Sequence, residues 1–296
     1  MKSGFVAIAG KPNVGKSTLL NRLVGSKLAA VSRKPQTTRQ VIRGILTEKR
    51  GQAVFLDTPG LYIPKDRLGK FMIGEATKTF LDADLFYWLV DPIRPSGADL
   101  ELLSSLRPKA SSPDMGPAVF CLINKVDTVP KLKLLPVIDA YQGAFSFQEI
   151  IPISALHGTH IDLLLEKTFA FLPEHEPYFP PDLTTDQTER FLAAEMIREK
   201  IFRFTGEEIP YSTAVMIEEF KEEESLIRIH AVIYTEKESQ KGILIGAKGA
   251  KMKQMGQAAR EDLEEFLGKK VFLDLWVKTL KNWKKDEQYL KRLGLG

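Results

Sequence analysis

The chain has 296 residues, and this length favours two domains over one. Hydrophobic residues make up 44% of the chain and charged residues 27%, which is the composition of a globular protein and excludes wholesale disorder. The longest uninterrupted apolar stretches, at residues 85–90 and 118–123, are far shorter than the roughly 20 residues that a membrane-spanning helix needs. We therefore expect two compact units, each with its own core, and no transmembrane segment.

The first apolar segment and the single cysteine indicate the cellular compartment. Residues 5–9 are already apolar, which leaves no room for an export signal before them. Cys121 cannot form an internal disulfide, and its apolar neighbours predict a buried thiol within a strand. Because a reducing compartment suits such a thiol, we expect a cytoplasmic protein.

Residues 1–172 alternate short apolar runs with stretches of helical length, a pattern typical of an α/β domain with a mostly parallel sheet and helices on both faces. The predicted strands lie at residues 5–9, 41–47, 53–57, 85–91, 119–124 and 150–153. Three of them end at the polar residues Asp57, Asp91 and Asn124. Ligands bind beyond the carboxyl ends of the strands in such sheets, so we expect the functional site there.

Four prolines between residues 173 and 181 mark the expected domain boundary, because proline fixes φ and removes a backbone donor. We predict a first domain at residues 1–173, a linker at 174–187, a second domain at 188–283 and a basic tail at 284–296. The second domain is expected to contain a helix over 188–204, strands over 211–219 and 226–235, a short helix ending near 245, a helix to about 267 and a strand over 271–277. This order predicts an α+β domain.

The segment between the first predicted strand and the helix after it matches the phosphate-binding pattern G-x-x-x-x-G-K-[ST]. Its residues, with Thr18 as the next one in the helix, are Gly10, Lys11, Pro12, Asn13, Val14, Gly15, Lys16 and Ser17. Glycines allow the backbone N–H groups of such a loop to point at phosphate oxygens. Lys16 supplies a positive charge for the β and γ phosphates, and Ser17 offers its hydroxyl to Mg²⁺. We therefore predict that these nine residues bind the phosphates of a nucleotide.

The base of the nucleotide is expected to contact residues 124–127, Asn-Lys-Val-Asp, at the end of the fifth predicted strand. The Asp127 carboxylate can accept hydrogen bonds from the ring N–H and the amino group of guanine, a pair that adenine does not present. We expect Asn124 to hold the loop and the base edge, and the aliphatic stem of Lys125 to lie over the purine. These residues predict binding of GTP and exclusion of ATP.

Two polar segments complete the expected phosphate and metal contacts. The third predicted strand ends in the segment Asp57, Thr58, Pro59 and Gly60, which together with the following Leu61 is expected to contact the nucleotide. Asp57 can orient Mg²⁺ through a water, and the Gly60 N–H can meet the γ phosphate. Residues 36–39 contain two threonines, of which Thr38 is favoured over Thr37 as a Mg²⁺ ligand while the γ phosphate is present. We assign hydrolysis to Lys16, Thr38, Asp57 and Gly60, and direct binding of Mg²⁺ to Ser17 and Thr38.

The last nucleotide segment, Ser154, Ala155 and Leu156, follows the sixth predicted strand and is expected to present a backbone N–H to the guanine oxygen. Five segments in this order resemble those of the translation-factor-related class of P-loop GTPases. The sequences GKPNVGKS, QTTR, DTPG, NKVD and SAL are similar to those of the Era family in particular. The resemblance implies hydrolysis of GTP, with GTP or GDP and Mg²⁺ as ligands.

The residue after Gly60 departs from the pattern of Ras-like enzymes. Leu61 stands where those enzymes carry a glutamine that positions the attacking water, and a leucine side chain can neither donate nor accept a hydrogen bond. We therefore predict slow intrinsic hydrolysis. The missing group is expected to be replaced by backbone, by a partner, or by K⁺ near Asn13, since related GTPases with asparagine at this loop position use potassium.

Residues 242–249, Gly-Ile-Leu-Ile-Gly-Ala-Lys-Gly, are similar to the G-x-x-G loop of a KH module, in which the backbone approaches RNA beside a groove for unstacked bases. Five basic residues and no acidic residue lie between positions 239 and 260, which indicates binding to a phosphate backbone. The predicted RNA contacts are Ile245, Gly246, Ala247, Lys248, Gly249, Lys251 and Lys253. We expect Ile243 and Ile245 to pack in the groove floor rather than contact solvent. The order of elements resembles a type II KH domain, which Era-family proteins carry after the GTPase domain.

The resemblance implies a GTP-hydrolysing switch that binds 16S rRNA near its 3′ end through the KH domain and assists assembly of the 30S ribosomal subunit. It also implies a monomer in the cytoplasm, with a partial peripheral association with the inner membrane left open. Two other functions stay open: an RNA-binding module with a structural GTP site, and a peripheral membrane scaffold, although no lipid-seeking helix or lipidation motif is apparent. In the tail, Trp283 and Tyr289 lie among lysines and either stack on bases or pack on the domain.

Overall fold

The computed structural model describes residues 1–32, 34–61, 67–106 and 118–295. These residues form two compact units. The first unit contains residues 1–28, 38–61, 72–106 and 118–186, and the second contains residues 29–32, 34–37, 67–71 and 187–295. Each unit has its own sheet.

A six-stranded sheet forms the centre of the first unit. Its strands are β1 (Lys2–Ala9), β2 (Ile42–Glu48), β3 (Gly51–Asp57), β4 (Leu85–Val90), β5 (Ala118–Ile123) and β6 (Glu149–Pro152). They lie in the order β2-β3-β1-β4-β5-β6, and only the β2–β3 pair is antiparallel. The predicted mostly parallel sheet is confirmed. Cys121 lies buried in β5, as its apolar neighbours predict.

Helices alternate with these strands along the chain. They are α1 (Lys16–Val24), α2 (Arg67–Leu81), α3 (Gly97–Leu106), α4 (Leu135–Ala144) and α5 (Ile161–Phe171). Strand β4 shows why both faces of the sheet need cover, because every one of its residues is buried and successive side chains point to opposite faces. Trp88 packs in one cluster with Tyr141 of α4, whereas the adjacent Tyr87 is hydrogen-bonded to Thr168 of α5. Apolar side chains on both faces of the strand require helices on both faces of the sheet, which is the predicted α/β arrangement.

The proline-rich residues 174–186 pack along the first unit. The Gln52 side chain donates to the Phe179 carbonyl at 2.9 Å and accepts from the N–H groups of Tyr178 and Phe179 at 2.8 and 3.0 Å. On the open edge of β2, the Ile45 N–H donates to the Thr184 carbonyl at 2.8 Å. This segment therefore covers an exposed strand edge. Residue 188 stays our proposed start of the second domain.

The second unit is an α+β domain with a three-stranded sheet. After α6 (Glu189–Phe204) come β7 (Thr213–Glu222), β8 (Leu226–Thr235), α7 (Glu238–Ile245), α8 (Ala250–Leu267), β9 (Lys270–Thr279) and α9 (Glu287–Arg292). Strand β8 is antiparallel to β7 and parallel to β9. Alternate residues of β8, such as Ala231 and Ile233, pack against Ile201 of α6 and Ala259 of α8. The predicted order of helices and strands is confirmed.

The segment after β9 packs on the second unit. Trp283 is fully buried, and its Nε1 donates to the Ser212 carbonyl at 3.2 Å. Leu290 of α9 and the following Leu295 are also buried. Stacking of Trp283 on RNA bases is therefore excluded, and packing on the domain is the correct alternative for this residue. None of the helices in the described ranges is both long and apolar enough to cross a bilayer.

Candidate functional site

The loop that joins β1 to α1 requires glycine at two positions. Gly10 and Gly15 have φ values of 146° and 104°, which disfavour any side chain. A Cβ atom at Gly15 would lie 2.3 Å from Asn124 Nδ2, and one at Gly10 would lie 2.2 Å from the Leu89 carbonyl oxygen. The close approach at Gly15 places this phosphate-binding loop directly against the predicted base-binding segment.

Lys16 begins α1, and its ammonium group lies inside the loop. Nζ donates to the carbonyl oxygens of Gly10 at 3.2 Å and Lys11 at 3.0 Å. Burial lowers the pKa of Lys16 to about 8, although the nearby Asp57 carboxylate favours the charged form. A phosphate in the loop would favour the charged form further, since it too is an anion.

Ser17, Thr38 and Asp57 bring three oxygens together. Ser17 Oγ lies 2.7 Å from Asp57 Oδ2 and 2.9 Å from Thr38 Oγ1, and Thr38 Oγ1 lies 3.2 Å from Asp57 Oδ2. Neighbouring ligands of an octahedral Mg²⁺ are about 2.8–3.0 Å apart, because each lies about 2.0–2.1 Å from the ion. The two hydroxyls have this spacing, and the carboxylate is within hydrogen-bonding distance of both. This oxygen set fits Mg²⁺.

Residues 58–61 lie beside the phosphate-binding loop. The Thr58 backbone N–H and hydroxyl both donate to the Ile8 carbonyl, at 3.3 and 2.9 Å. A Cβ atom at Gly60 would lie 3.1 Å from Pro12, and the Leu61 N–H donates to the Gly10 carbonyl at 3.2 Å. The segment Asp57, Thr58, Pro59 and Gly60 is thus adjacent to the loop, as its predicted role requires.

Asn124 joins two of the predicted nucleotide segments. Its Nδ2 donates to the Val14 carbonyl at 2.8 Å, and its Oδ1 accepts from the Ala155 N–H at 2.9 Å. The side chain is buried, with the residue 2% exposed. In the structure Asn124 therefore holds the phosphate-binding loop and residues 154–156 together.

Lys125 and Asp127 are the other two residues that the sequence predicts to contact the base. Lys125 has a left-handed backbone conformation, and its Nζ donates to the Asn13 carbonyl at 2.6 Å and pairs with Asp91 Oδ1 at 2.8 Å. Asp127 Oδ2 lies 3.8 Å from His157 Nε2. The Lys125 stem is thus held beside the phosphate-binding loop, while the Asp127 carboxylate is partly exposed.

Residues 154–156 are held by hydrogen bonds that the sequence did not indicate. The Ser154 N–H donates to the Thr159 carbonyl at 3.2 Å, while the Ala155 N–H donates to Asn124. Arg22, in the last turn of α1, donates from Nε to the Ala155 carbonyl at 3.1 Å and from Nη2 to the Leu156 carbonyl. The N–H groups of Ser154 and Ala155 therefore already have partners within the protein. A guanine oxygen would have to share one of these N–H groups with its partner or accept from the Leu156 N–H.

The predicted RNA-binding loop lies between α7 and α8 of the second unit. Gly246 and Gly249 have φ values of 71° and 78°, and Lys248 also has a left-handed conformation. A Cβ atom at Gly246 would lie 2.8 Å from Lys251 Cβ, so the chain turns tightly there. Ile245 is half-buried, but Ile243 is 48% exposed, so the expectation that Ile243 packs away from solvent is wrong. The turn of α7 directs Leu244 into the core instead.

The lysines of this loop are accessible. Ala247, Lys248 and Lys253 are exposed, whereas Lys251 and Gly249 are half-buried. Within the described part of the chain, no carboxylate lies within 4 Å of the ammonium groups of Lys248, Lys251 or Lys253. The acidic residues of β7 behave differently, since Glu218 and Glu222 pair with Lys278 and Lys269. The loop thus presents uncompensated positive charge beside a tight backbone turn.

Comparison with known proteins assigns the chain to a family. A family model described as a 50S ribosome-binding GTPase matches residues 5–125, and a KH domain model matches residues 208–284. GTPase Era of Syntrophus aciditrophicus (strain SB) is 48% identical over 298 residues, which cover 99% of this chain and 95% of that protein. The chain belongs to the GTPase Era family. A second relative is GTPase Era of Geotalea uraniireducens (strain Rf4). It is 47% identical to this chain over 298 residues, which cover 99% of this chain and 97% of that protein.

Two solved Era structures share the fold over the whole chain. One is a variant of Aquifex aeolicus Era bound to GDP·AlF4⁻, with 40% identity, complete coverage of both chains and a TM-score of 0.94. The other is Era in complex with MgGDPNP and nucleotides 1506–1542 of 16S ribosomal RNA, with 40% identity, a TM-score of 0.94, and coverage of 100% of this chain and 99% of that one. The predicted family, fold class and GTPase activity are confirmed.

The structure places the Leu61 side chain in the core of the first unit. Its side chain is 3% exposed and packs in a hydrophobic cluster with Ala7 and Ala9 of β1. It therefore points away from solvent and offers no polar atom for hydrolysis. We expect the γ phosphate and Mg²⁺ to order the segment after Gly60, and residues 62–66 of that segment lie outside the described residues. Slow intrinsic hydrolysis stays a prediction.

Three residues near the nucleotide segments had no role in the sequence-based prediction. Asp99, near the beginning of α3, pairs with Lys11 of the phosphate-binding loop at 2.5 Å. His157 lies beside Asp127, and Arg22 contacts residues 154–156. Of these three residues, only Arg22 has a local signal in the sequence, as a basic residue in the last turn of a helix. The helix dipole explains a basic residue there without any contact to residues 154–156.

Proposed function

We propose that this GTPase is a switch in which GTP and GDP control binding of 16S rRNA by the KH domain, and that it assists assembly of the 30S subunit. One observation carries the proposal: residues 29–32 and 34–37, which lead directly to Thr38 in the metal site, belong to the second compact unit. A change in conformation at Thr38 therefore acts on a segment that belongs to the second unit, which contains the predicted RNA-binding loop.

Two contacts hold this segment on α6. The Val31 N–H donates to Glu199 Oε2 at 3.0 Å. Lys34 Nζ donates to the carbonyl groups of Phe202 and Thr205 at the end of α6, where a helix favours a positive charge. Both contacts lie within seven residues of Thr38. Whether Thr38 can bind Mg²⁺ therefore depends in part on the contacts that the residues before it form within the second unit.

Glu199 is in turn connected to the helix that follows the RNA-binding loop. Lys200, which is 2% exposed, pairs with Glu199 Oε1 at 3.1 Å and with Asp262 of α8. Removing one partner from such a buried group leaves an uncompensated charge, so the three side chains depend on one another. This network is a physical connection between the segment before Thr38 and α8, which begins directly after Gly249.

In the proposed mechanism, the first unit binds the phosphates through the residues that the sequence indicates. Lys16 contacts the β and γ phosphates, the Gly60 N–H contacts the γ phosphate, and Asp57 orients the ion. Ser17 and Thr38 would hold Mg²⁺, and the bound ion would neutralise negative charge on the phosphates. Thr38 thereby senses whether the γ phosphate is present.

Guanine recognition is proposed to depend on Asp127, with the Lys125 stem over the ring and residues 154–156 at the guanine oxygen. The test is Asp127→Asn, which replaces an acceptor pair by a donor and an acceptor. We expect weaker GTP binding and a preference for xanthine nucleotide. Unchanged affinity for GTP would show that Asp127 does not contact the base.

For the second unit, we propose that Gly246 and Gly249 let the backbone approach RNA while Lys248, Lys251 and Lys253 contact phosphates. The accessible ammonium groups support these contacts. The relative solved with nucleotides 1506–1542 of 16S rRNA supports the choice of RNA. We further propose that the protein acts on the 30S subunit as a cytoplasmic monomer.

The experiment that tests the switch is a titration of an RNA corresponding to those nucleotides with the protein loaded with GDPNP or with GDP. We expect affinities that differ by about tenfold, because coupling between sites is typically 1–3 kcal/mol. Glu199→Gln should reduce this difference, since it weakens both the Val31 contact and the Lys200 pair. Glu195→Gln is the matched control, because Glu195 lies on the same helix and pairs with Arg198. Equal RNA affinity in both states would overturn the switch and favour an RNA-binding module with a structural GTP site.

A further inference from the structure

The peptide group of Ala155 is held from two sides. Its N–H donates to Asn124 Oδ1, and its carbonyl accepts from Arg22 Nε at 3.1 Å. The same guanidinium also donates from Nη2 to the carbonyl of Leu156. Two neighbouring carbonyl groups therefore share one arginine, which belongs to none of the five nucleotide segments.

Arg22 lies on a rigid element whose other end binds phosphate. Arg22 is five positions after Ser17, which corresponds to about 8 Å along the axis of α1. The end of the helix is itself well fixed: Gly25 caps it with a left-handed conformation, its N–H donates to the Asn21 carbonyl, and Asn21 Oδ1 accepts from the Leu28 N–H at 3.0 Å. The position of Arg22 relative to the phosphate-binding residues is thus set by helix geometry.

We propose that Arg22 is a positioning residue for guanine recognition, which fixes residues 154–156 at a set distance from the phosphate-binding loop. The inference rests on the proposed base site. A guanidinium suits this role because its N–H groups form a planar fork that can reach two adjacent carbonyl oxygens, whereas a lysine ammonium is a single point of charge. Asn124 accepts from the Ala155 N–H, whereas Arg22 donates to the Ala155 carbonyl. Each side chain therefore restrains a different edge of the Ala155 peptide group.

This role predicts a specific kinetic signature. The oxygen at position 6 of guanine can accept from an N–H of residues 154–156, but adenine carries an amino group there. Loss of Arg22 should therefore weaken guanine and hypoxanthine nucleotides alike and leave adenine nucleotides unaffected. Among the described residues, Arg22 forms no hydrogen bond or ion pair with Lys16, Thr38 or Asp57, so KM for GTP should rise while kcat stays unchanged.

The test compares Arg22→Ala, Arg22→Lys and the control Arg43→Ala in the full-length protein. Arg43 is an arginine of the same unit that pairs with Asp186 and lies outside the nucleotide segments. We expect Arg22→Ala to weaken GDP and IDP by about tenfold each, without a change for ADP, because two charge-assisted hydrogen bonds are lost. Arg22→Lys should recover little of this loss, and Arg43→Ala should bind GDP as the wild type does.

Three results would overturn the proposal: unchanged GDP affinity in Arg22→Ala, an equal loss for ADP, or full recovery in Arg22→Lys. Thermal unfolding without nucleotide separates a binding effect from general destabilisation, which would lower the affinity for all three nucleotides together. The Asp127→Asn variant in the same assay distinguishes the two levels of inference. If it fails to shift preference towards xanthine, the base site itself is wrong. If it shifts preference and Arg22→Ala has no effect, only the role of Arg22 is wrong.

Discussion

Replacing Asn124 by alanine tests whether one buried amide positions the nucleotide segments. The substitution removes two hydrogen bonds, at 2.8 Å to the Val14 carbonyl and at 2.9 Å from the Ala155 N–H. Val14 and Ala155 are 4% and 1% exposed, so water cannot readily replace the lost partner. Each buried group left without a partner costs about 1–3 kcal/mol. The two groups together cost about 2–6 kcal/mol. A cost of about 3 kcal/mol, in the lower half of that range, corresponds to roughly a hundredfold loss of affinity.

The assay is GDP binding by calorimetry, combined with thermal unfolding of the nucleotide-free protein. Gln52→Ala is the matched control, because Gln52 is a fully buried amide of the same unit whose bonds reach Thr47, Tyr178 and Phe179. We expect Gln52→Ala to lower the unfolding temperature while leaving GDP affinity unchanged, and Asn124→Ala to weaken GDP strongly. Wild-type GDP affinity in Asn124→Ala would refute the reasoning. An equal loss in both variants would show that only overall stability was affected.

Three further predictions concern the cation, the RNA and the pH dependence. If K⁺ near Asn13 replaces the missing glutamine, GTP turnover will be faster in K⁺ than in Na⁺, and identical turnover would exclude this cation. Lys248→Ala should lower RNA affinity and reduce the slope of log affinity against log salt by about one unit, whereas an unaltered slope would remove Lys248 from the contacts. Burial alone would raise the pKa of Asp99, but hydrogen bonds from Lys11 and Ser96 outweigh it and lower that pKa. The stability that Asp99 contributes is therefore present above its usual pKa of about 3.9 and lost as pH falls through the lowered value, so Asp99→Asn should reduce the unfolding temperature at neutral pH and not in strong acid.

The sequence by itself determined the family, the two kinds of domain and the chemistry of each contiguous segment. The phosphate-binding loop could be predicted because its conformation depends on glycines within eight residues. Strand β4 could be predicted from its uninterrupted apolar run, and β8 from apolar residues that alternate along it. The approach of Ser17, Thr38 and Asp57 could also be expected, since strand ends meet at one edge of a sheet.

Only the tertiary structure decided the contacts between residues far apart in the chain. Arg22 and Leu156 are separated by 134 positions, and Val31 and Glu199 by 168, so no local pattern indicates either pair. The burial of Trp283 and the exposure of Ile243 were settled in the same way, by which neighbours the fold brings to each side chain. Periodicity and motif spacing report what the backbone does nearby, whereas the partner of a side chain depends on how the finished elements pack.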